Sequence, residues 1–456
     1  AVPGLNIPGE RFFEDARQRG AVLLVGSRRE DLAPHPAWVL VRDARRAMGI
    51  LAHNACGRPS ERARLVGITG TNGKTSTTWI LEALAQAAGA SPGVLGTVNY
   101  RYAGRELPAA HTTPEAPVLQ EILRDMVEAG CDTAILEVSS HAIAMERVRG
   151  CRWAVAAATN LSPEHLDFHG NMAEYGETKA RLFTELLPSS PGARAAVLNM
   201  DDPWAASLAA RTSVPVITVS AEGRAAAVRT REARVDAGGI DALLDSPVGP
   251  LCVHSALGGR HNLANIALSV GVACAMGWPA AAMEEGIAAC RRIPGRMEPV
   301  ANTAGLRVWV DYAHTPDALD NALRTARSMT DGALWVVFGA GGDRDRSKRP
   351  LMGAAVARAA EHPVITSDNP RSELAAAVME DILAGVPADE RRRVQLVEDR
   401  REAIHRVIAS ARPGDGVLIA GKGHETYVEV NRVRTHFDDR EVAAEALRHR
   451  EGGAHA

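Results

Sequence analysis

The stretch Val66-Gly67-Ile68-Thr69-Gly70-Thr71-Asn72-Gly73-Lys74-Thr75-Ser76 decides how the chain is organised. An apolar run leads into a glycine-rich turn, and a helical pattern opens at Lys74. Free backbone N–H groups and the positive end of the helix dipole attract phosphate at such a helix N-terminus. Gly70 and Gly73 allow the backbone to come close to phosphate oxygens. The stretch therefore predicts a nucleotide site, with Lys74 at the β- and γ-phosphates and the Thr75 hydroxyl on Mg²⁺.

This loop departs from the strict Walker spacing, because Ile68 stands where that pattern has a glycine. The shorter form Gly-x-x-Gly-Lys-Thr remains. An ordinary strand-to-helix turn with a solvated lysine is the alternative interpretation. The intact Lys74-Thr75 pair, flanked by the right elements, favours nucleotide binding.

Composition indicates an ordinary globular protein of several domains. The 456 residues are 46% hydrophobic and 23% charged, and a chain of this length exceeds what one core supports. A net charge of -3 does not indicate the positively charged surface that nucleic-acid binding requires, so we expect no nucleic-acid partner. No apolar run approaches the length of a bilayer span, so we expect no membrane segment. The six cysteines include no Cys-x-x-Cys pair, which disfavours structural zinc and a disulfide framework and favours a cytoplasmic protein.

The apolar pattern divides the chain into three α/β regions. Residues 1–62 form a short mixed region, which we expect to be a truncated first domain. Residues 63–293 alternate continuous apolar strands with helices, as in a sheet covered on both faces, and include a polar β-like insertion near 226–253. Residues 294–456 repeat the alternation in a doubly wound pattern, whose ligands bind at the carboxyl ends of the strands.

Several side chains are candidates for chemistry. Glu137 ends an apolar strand near the phosphate loop, where a carboxylate is a suitable Mg²⁺ ligand; a solvated loop residue is the alternative. His165 and His169 would share a face of a helix, but no third soft ligand is near, so a hard-metal role for one of them is favoured over zinc. Lys179, taken alone, reads as a surface lysine. Residues 112–114 and 368–371, taken alone, read as a helix N-cap and an Asx turn that starts a helix.

Taken together, these segments resemble the Mur ligase family of peptidoglycan synthesis over most of the chain. The matching segments are Thr69-Gly-Thr-Asn-Gly-Lys-Thr75, His111-Thr-Thr-Pro114, Glu137-Val-Ser-Ser-His141, Thr159-Asn-Leu161, Glu164-His-Leu-Asp167, Lys179, His261-Asn262, Gly295-Arg-Met-Glu298, Asp311-Tyr-Ala-His-Thr-Pro316 and Gly421-Lys-Gly-His-Glu425. So many ordered segments are far more specific than any single motif.

The resemblance implies an N-terminal UDP-binding domain, a central P-loop ATPase domain and a C-terminal Rossmann-like domain. It implies contacts to ATP from Gly70, Thr71, Asn72, Gly73, Lys74, Thr75, Ser76, Asn262, Arg296 and Asp311. It also implies a catalytic set of Lys74, Glu137, His165 and Lys179. Mg²⁺ would be held by Thr75, Glu137, His165 and Lys179, with Lys179 carbamylated into an anion. Domain closure over ATP is then part of the reaction.

The resemblance further implies the substrates. Thr112, Thr113, Ser140, Arg147 and Lys179 match positions that contact a UDP-muramoyl dipeptide. Arg344, Asp368, Asn369, Arg371, Gly421 and Glu425 match a diaminopimelate site, in which Arg371 binds the distal carboxylate that lysine lacks. The implied reaction joins meso-diaminopimelate to the D-glutamyl γ-carboxylate through an acyl phosphate. A lysine-adding synthetase and a folylpolyglutamate-synthetase-like ligase are the alternatives, and we expect a monomer.

Overall fold

The computed structural model describes residues 2, 7, 9–27, 38–236 and 238–453. The N-terminal region pairs two short parallel strands and ends in a helix that Asp43 caps by accepting hydrogen bonds from the backbone N–H groups of Arg45 and Arg46. Gly49 allows that helix to approach the middle region, because a Cβ there would lie 2.6 Å from the Arg149 carbonyl oxygen. The elements are α1 Phe13–Gln18, β1 Leu24–Gly26, β2 Trp38–Leu40 and α2 Ala44–Ala55.

The middle region forms an eleven-stranded sheet over the described residues, in the order β13-β12-β11-β10-β9-β8-β3-β7-β4-β5-β6. Strands β4, β7, β3, β8, β9, β10 and β11 are parallel, and antiparallel strands extend the sheet at both ends. The elements are β3 Arg64–Thr69, α3 Lys74–Ala87, β4 Pro92–Leu95, β5 Asn99–Tyr102, β6 Arg105–Pro108, α4 Ala116–Glu128, β7 Thr133–Glu137, α5 Ser140–Ala144, β8 Trp153–Ala158, α6 Leu166–His169, α7 Met172–Arg181, β9 Ala195–Asn199, α8 Pro203–Ser207, β10 Val216–Ser220, β11 Val228–Asp236, β12 Gly239–Asp245, β13 Leu251–Ser255, α9 Arg260–Met276 and α10 Ala280–Ala289.

Helices cover both faces of this sheet, which explains its continuous apolar strands. The neighbours Leu65 and Val66 of β3 belong to two different core clusters, one on each face. The predicted insertion at 226–253 is the antiparallel β11–β13 unit. The β5–β6 hairpin was not predicted, and β4 ends at Leu95. Its continuation turns at Gly96, where a Cβ would lie 2.3 Å from Glu137 Oε1.

The C-terminal region has a six-stranded sheet over the described residues, in the order β14-β15-β19-β16-β17-β18, parallel except at β14. The hairpin β20–β21 and the last helix were not predicted. The elements are β14 Glu298–Pro299, β15 Arg307–Asp311, α11 Pro316–Ser328, β16 Leu334–Phe338, α12 Lys348–Ala359, β17 His362–Ile365, α13 Ala375–Ala384, β18 Gln395–Leu396, α14 Arg400–Ser410, β19 Gly416–Ala420, β20 Tyr427–Val430, β21 Val433–His436 and α15 Asp439–Gly453. Within the described residues, no helix has the length and apolar character needed to cross a membrane.

Arg349 of α12 is fully buried and holds the loop after β16. Its guanidinium lies 2.7 Å from Glu373 Oε1 and 2.9 Å from Asp381 Oδ2, and donates to the Gly341 carbonyl. We expect Arg349→Met to lower the free energy of unfolding by about 3 kcal/mol, because it leaves two carboxylates without their buried partner. Calorimetry of the C-terminal transition measures this change.

The matched control is Arg346→Met. Arg346 also contacts Asp381, at 3.0 Å, but its side chain is 66% exposed. An exposed ion pair contributes less than about 1 kcal/mol. Equal destabilisation by the two variants would contradict the assigned role of Arg349.

Candidate functional site

A cavity of about 310 Å³ lies between the phosphate loop and the start of α11. It combines residues of the middle region with residues of the C-terminal region. Its lining includes Thr71, Asn72, Gly73, Lys74, Thr75, Ser76, Thr97, Thr112, Glu137, Ser140, Asn160, Glu164, His165, Tyr175, Lys179, His261, Asn265, Arg296, Asp311, Tyr312, His314 and Asn321.

The phosphate loop has the shape that the sequence predicts, with α3 beginning at Lys74. Gly70 has φ 144° and Gly73 has φ 89°, in the region that favours glycine. A Cβ at Gly70 would lie 1.8 Å from Thr159 Oγ1, and one at Gly73 would lie 2.4 Å from Asn265 Oδ1. Both glycines are therefore required by close approach as well as by backbone conformation.

Two lysine side chains meet on one carbonyl group in this cavity. Lys74 Nζ and Lys179 Nζ donate to the Gly70 oxygen at 2.9 Å and 2.8 Å. Lys179 is 1% exposed, so it is not the surface lysine of the alternative interpretation. Burial, and then the charge of Lys74, holds the pKa of Lys179 well below its usual range. Burial and the neighbouring Lys74 therefore both disfavour the ammonium form of Lys179.

The Glu137 carboxylate lies beside the hydroxyl oxygen atoms of two threonines at the N-terminus of α3. Its Oε2 accepts from Thr75 Oγ1 at 3.1 Å and from Thr97 Oγ1 at 2.9 Å, and its Oε1 accepts from the Thr97 N–H. The carboxylate is 1% exposed. These groups are the type of ligand that Mg²⁺ prefers, together with phosphate oxygens.

The histidines at 165 and 169 do not share a helix face. His165 precedes α6 in a left-handed conformation with φ 57°, and His169 ends that single turn. His169 Nε2 is hydrogen-bonded to Ser140 Oγ at 2.9 Å, whereas His165 lines the cavity and lies 3.6 Å from Glu164. Burial lowers the pKa of His165, so its imidazole is available as a neutral ligand.

The C-terminal region reaches into the cavity through Arg296 and Asp311. Arg296 Nη2 donates to Thr75 Oγ1 at 3.2 Å and its guanidinium lies over the Tyr312 ring. Asp311 accepts from the backbone N–H groups of Met297 and Ala313, and burial raises its pKa. Both residues line the cavity, and their predicted contact with ATP stays a prediction.

Asn262 does not line the cavity, contrary to its predicted role. Its amide is 2% exposed and donates to the Gly258 carbonyl at 2.8 Å. Asn265, one turn later on α9, lines the cavity and packs against Gly73. Asn265 Nδ2 donates to Asn262 Oδ1, so Asn262 acts through Asn265.

The predicted UDP-substrate residues divide into two groups. Thr112 and Ser140 line the cavity. Thr113 is buried and donates to the Glu137 carbonyl, and Arg147 pairs with the Thr113 carbonyl and with Glu115. Thr113 and Arg147 therefore hold the segment that carries Thr112 and do not line the cavity.

The predicted diaminopimelate residues form a second cluster outside this cavity. Lys422 is fully buried there and faces Asp368 at 3.8 Å and Glu425 at 3.6 Å. Asn369 joins them through hydrogen bonds to Glu425 and Lys422. The segment 368–371 is not the start of a helix, because α13 begins later, at Ala375.

Short contacts with neighbouring backbone and side-chain atoms restrain the arginines and glycines of this cluster. Arg371 Nη1 donates to the Gly342 carbonyl at 2.6 Å, and a Cβ at Gly421 would lie 2.4 Å from Asp368 Oδ2. Arg344 donates to the carbonyl of its neighbour Asp343. Tyr312 connects the cluster to the cavity, because it lines the cavity and its ring lies 4.9 Å from that of His424.

The sequence analysis assigned no functional role to Thr97, Glu164, Asn265, Asp317 and Lys422. Glu164 and Lys422 lie inside segments that resemble the Mur ligase family, so these two residues could have been identified from the sequence. Thr97 follows a strand as an ordinary turn residue, and only folding brings it to Glu137.

Comparison with known proteins shows which protein family the chain belongs to. Residues 68–273 match the Mur ligase middle domain, and residues 295–423 match the Mur ligase glutamate ligase domain. The chain belongs to the Mur ligase family. These matches fall inside the predicted domains 63–293 and 294–456, whose exact boundaries stay predictions. The predicted family and α/β architecture are confirmed.

Several relatives at 33% to 44% identity carry the same name. The UDP-N-acetylmuramoyl-L-alanyl-D-glutamate–2,6-diaminopimelate ligase of Geobacter metallireducens is 43% identical and the alignment covers 98% of this chain and 91% of that protein. That of Parasynechococcus marenigrum is 44% identical, with 99% and 91% covered. A solved structure of an enzyme of this name is 33% identical with TM-score 0.69, covering 97% of this chain and 90% of its own. Folylpolyglutamate synthase of Mycobacterium tuberculosis, 20% identical with TM-score 0.67 over 89% of this chain and 94% of its own, shares the fold.

Proposed function

We propose that this Mur ligase is an ATP-dependent enzyme that adds meso-diaminopimelate to the D-glutamyl γ-carboxylate of UDP-N-acetylmuramoyl-L-alanyl-D-glutamate. One observation carries the proposal: a phosphate loop with Lys74, the buried Lys179 and Glu137 share a cavity with Arg296 and Asp311 of the other large region. The name shared by relatives at about 43% identity supports the same substrates.

The chemistry proceeds in two transfers. The γ-carboxylate attacks the γ-phosphorus of ATP, ADP leaves, and an acyl phosphate forms. The amine of diaminopimelate then attacks the acyl carbon, phosphate leaves, and the amine loses a proton as the amide forms. Lys74 and the loop N–H groups stabilise the charge that develops on the transferred phosphoryl group. Arg296 adds a positive charge from the C-terminal region once the regions are closed.

The donor set fits Mg²⁺. Thr75 and Glu137 would hold one ion together with ATP oxygens, and His165 with a carbamylated Lys179 would hold a second. No group of three or more His, Cys, Asp or Glu among the described residues could hold a metal, so phosphate or carbamate oxygens are needed to complete either site. Bound there, Mg²⁺ would neutralise phosphate charge and act as a Lewis acid.

The amino-acid preference is proposed from the second cluster. Arg371 and Arg344 would pair with carboxylates of diaminopimelate, and Glu425 and the Gly421 carbonyl would receive its distal ammonium. L-lysine lacks the distal carboxylate and would leave Arg371 without its partner. Cytoplasmic location and a monomeric state also stay predictions.

Phosphate release from ATP tests the function. We expect release with UDP-muramoyl-L-alanyl-D-glutamate and meso-diaminopimelate, and at least about 100-fold slower release with L-lysine. Equal rates would remove the proposed amino-acid preference and leave the ligase. No release with either amino acid, together with normal ATP binding, would overturn the proposed reaction.

A further inference from the structure

Asp317 of α11 contacts the phosphate loop from the C-terminal region. Its Oδ2 accepts from Asn72 Nδ2 at 2.6 Å and from Ser162 Oγ at 2.9 Å. Asn72 lies between the two glycines of the loop, and Ser162 lies after β8. One carboxylate oxygen therefore ties two segments of the middle region to the first turn of a C-terminal helix.

The loop side of this contact is itself tightly held. The backbone of Asn72 exchanges two hydrogen bonds with the Asn160 amide, at 3.0 Å and 3.1 Å. Thr71 Oγ1 donates to the Ser162 carbonyl and accepts from the Ser162 N–H. A displacement of Asp317 would therefore act directly on Asn72 and, through Ser162, on Thr71.

The position of Asp317 in the first turn of α11 is equally well defined. Thr315 caps α11 by accepting from the Ala318 N–H, and Pro316 occupies the first turn. A carboxylate in the first turn is stabilised by the helix dipole. The cap therefore fixes the direction of the Asp317 side chain, which accepts hydrogen bonds from the neutral donors Asn72 Nδ2 and Ser162 Oγ.

We propose that Asp317 is a positioning residue that couples closure of the two large regions to the ATP-binding shape of the phosphate loop. When the regions close, Asp317 fixes the Asn72 side chain and the loop takes the geometry that phosphate needs. When they separate, the loop loses this restraint and binds ATP less well.

The first test is ATP-analogue affinity measured by calorimetry on the full chain. Asp317→Ala is expected to weaken binding of a non-hydrolysable ATP analogue roughly tenfold, the scale of one charge-assisted hydrogen bond. Asp317→Asn keeps an oxygen that can accept both bonds, so it is expected to remain within about threefold of the parent protein. The control Asp320→Asn, on the same helix with a carboxylate 3.7 Å from Arg358, is expected to bind normally.

A second readout needs no substrate of the proposed reaction. Without nucleotide, Asp317→Ala is expected to show a larger radius of gyration in small-angle X-ray scattering than the parent and the control, and the analogue is expected to reverse the difference. In the phosphate assay, which rests on the proposed function, its KM for ATP is expected to rise about tenfold with kcat within threefold.

Ser162→Ala gives an independent test if Asp317→Ala folds poorly. It is expected to weaken analogue binding about threefold, and its effect is expected to disappear in the Asp317→Ala background, because the two residues share one bond. Unchanged affinity and an unchanged radius of gyration in both single variants would overturn the proposal, as would Asp317→Asn behaving like Asp317→Ala.

Discussion

Lys179→Ala is expected to reduce ligation by on the order of a thousandfold, and short carboxylic acids such as acetate or formate are expected to restore part of the rate. The reason is the environment of the amine. Its Nζ is buried, donates to the Gly70 carbonyl that Lys74 also uses, and has a pKa well below the usual range. A second ammonium at that carbonyl is disfavoured by repulsion.

A neutral amine reacts with carbon dioxide: the nitrogen lone pair forms the N–C bond, a proton is released, and a carbamate anion results. Carbamylation, which we propose for Lys179, would change this residue from a cation-forming group into a metal-binding anion. Replacing Lys179 by alanine would then delete a carboxylate-like group, for which a small acid in the cavity would substitute.

The rescue distinguishes two roles of Lys179. If it works as an ammonium, methylamine should restore activity and acetate should not. The parent enzyme with the same additives is the control for effects of ionic strength. Rescue by the amine alone would contradict carbamylation, and a variant with near-normal activity would contradict any catalytic role for Lys179.

How much of this site the sequence predicts depends on how local each signal is. The phosphate loop is local, because glycines, lysine and helix start all lie within residues 66–76 and the structure preserves that order. Glu137 follows from the end of a strand beside the loop. The roles of Asn262 and Asn265 could not be separated by pattern, because residues three apart on a helix lie on the same face. The contact of Asn265 with Gly73 separates them, and that contact exists only in the folded chain.

Asp317 shows the same limit across regions. In the sequence it is an acidic residue in the first turn of a helix, an ordinary feature with a local explanation. Its partner Asn72 is far away along the chain, so no local pattern connects them. The continuous apolar strands predict that both faces of the sheets are covered. The hairpins β5–β6 and β20–β21 carry no comparable signal in the sequence.

Arg371→Asn is expected to lower kcat/KM for meso-diaminopimelate about 100-fold and to leave the low rate with L-lysine nearly unchanged. The choice of asparagine follows from the backbone. Arg371 has φ 53°, a left-handed conformation in which asparagine is far more frequent than most residues. The variant therefore removes the guanidinium and keeps the loop conformation.

The loop has further restraints that the substitution leaves intact. The Arg371 N–H donates to the Glu429 carbonyl, and its own carbonyl accepts from the Asn431 N–H, at 3.0 Å and 2.8 Å. Only the side-chain bond to the Gly342 carbonyl is lost. A loss of diaminopimelate turnover would then report on the guanidinium itself.

Arg371→Lys and Arg406→Asn complete the design. Lysine keeps the positive charge but not the planar fork, so a loss of roughly tenfold is expected if the guanidinium pairs bidentately with a carboxylate. Arg406 is an exposed arginine of the same region that pairs with Glu402, so its variant is expected to behave like the parent enzyme. Equal losses with diaminopimelate and lysine in Arg371→Asn would show that Arg371 supports the loop and does not select the amino acid. A loss confined to diaminopimelate would assign the preference to one guanidinium, held in a strained backbone conformation at the point where the loops after β16 and β17 meet.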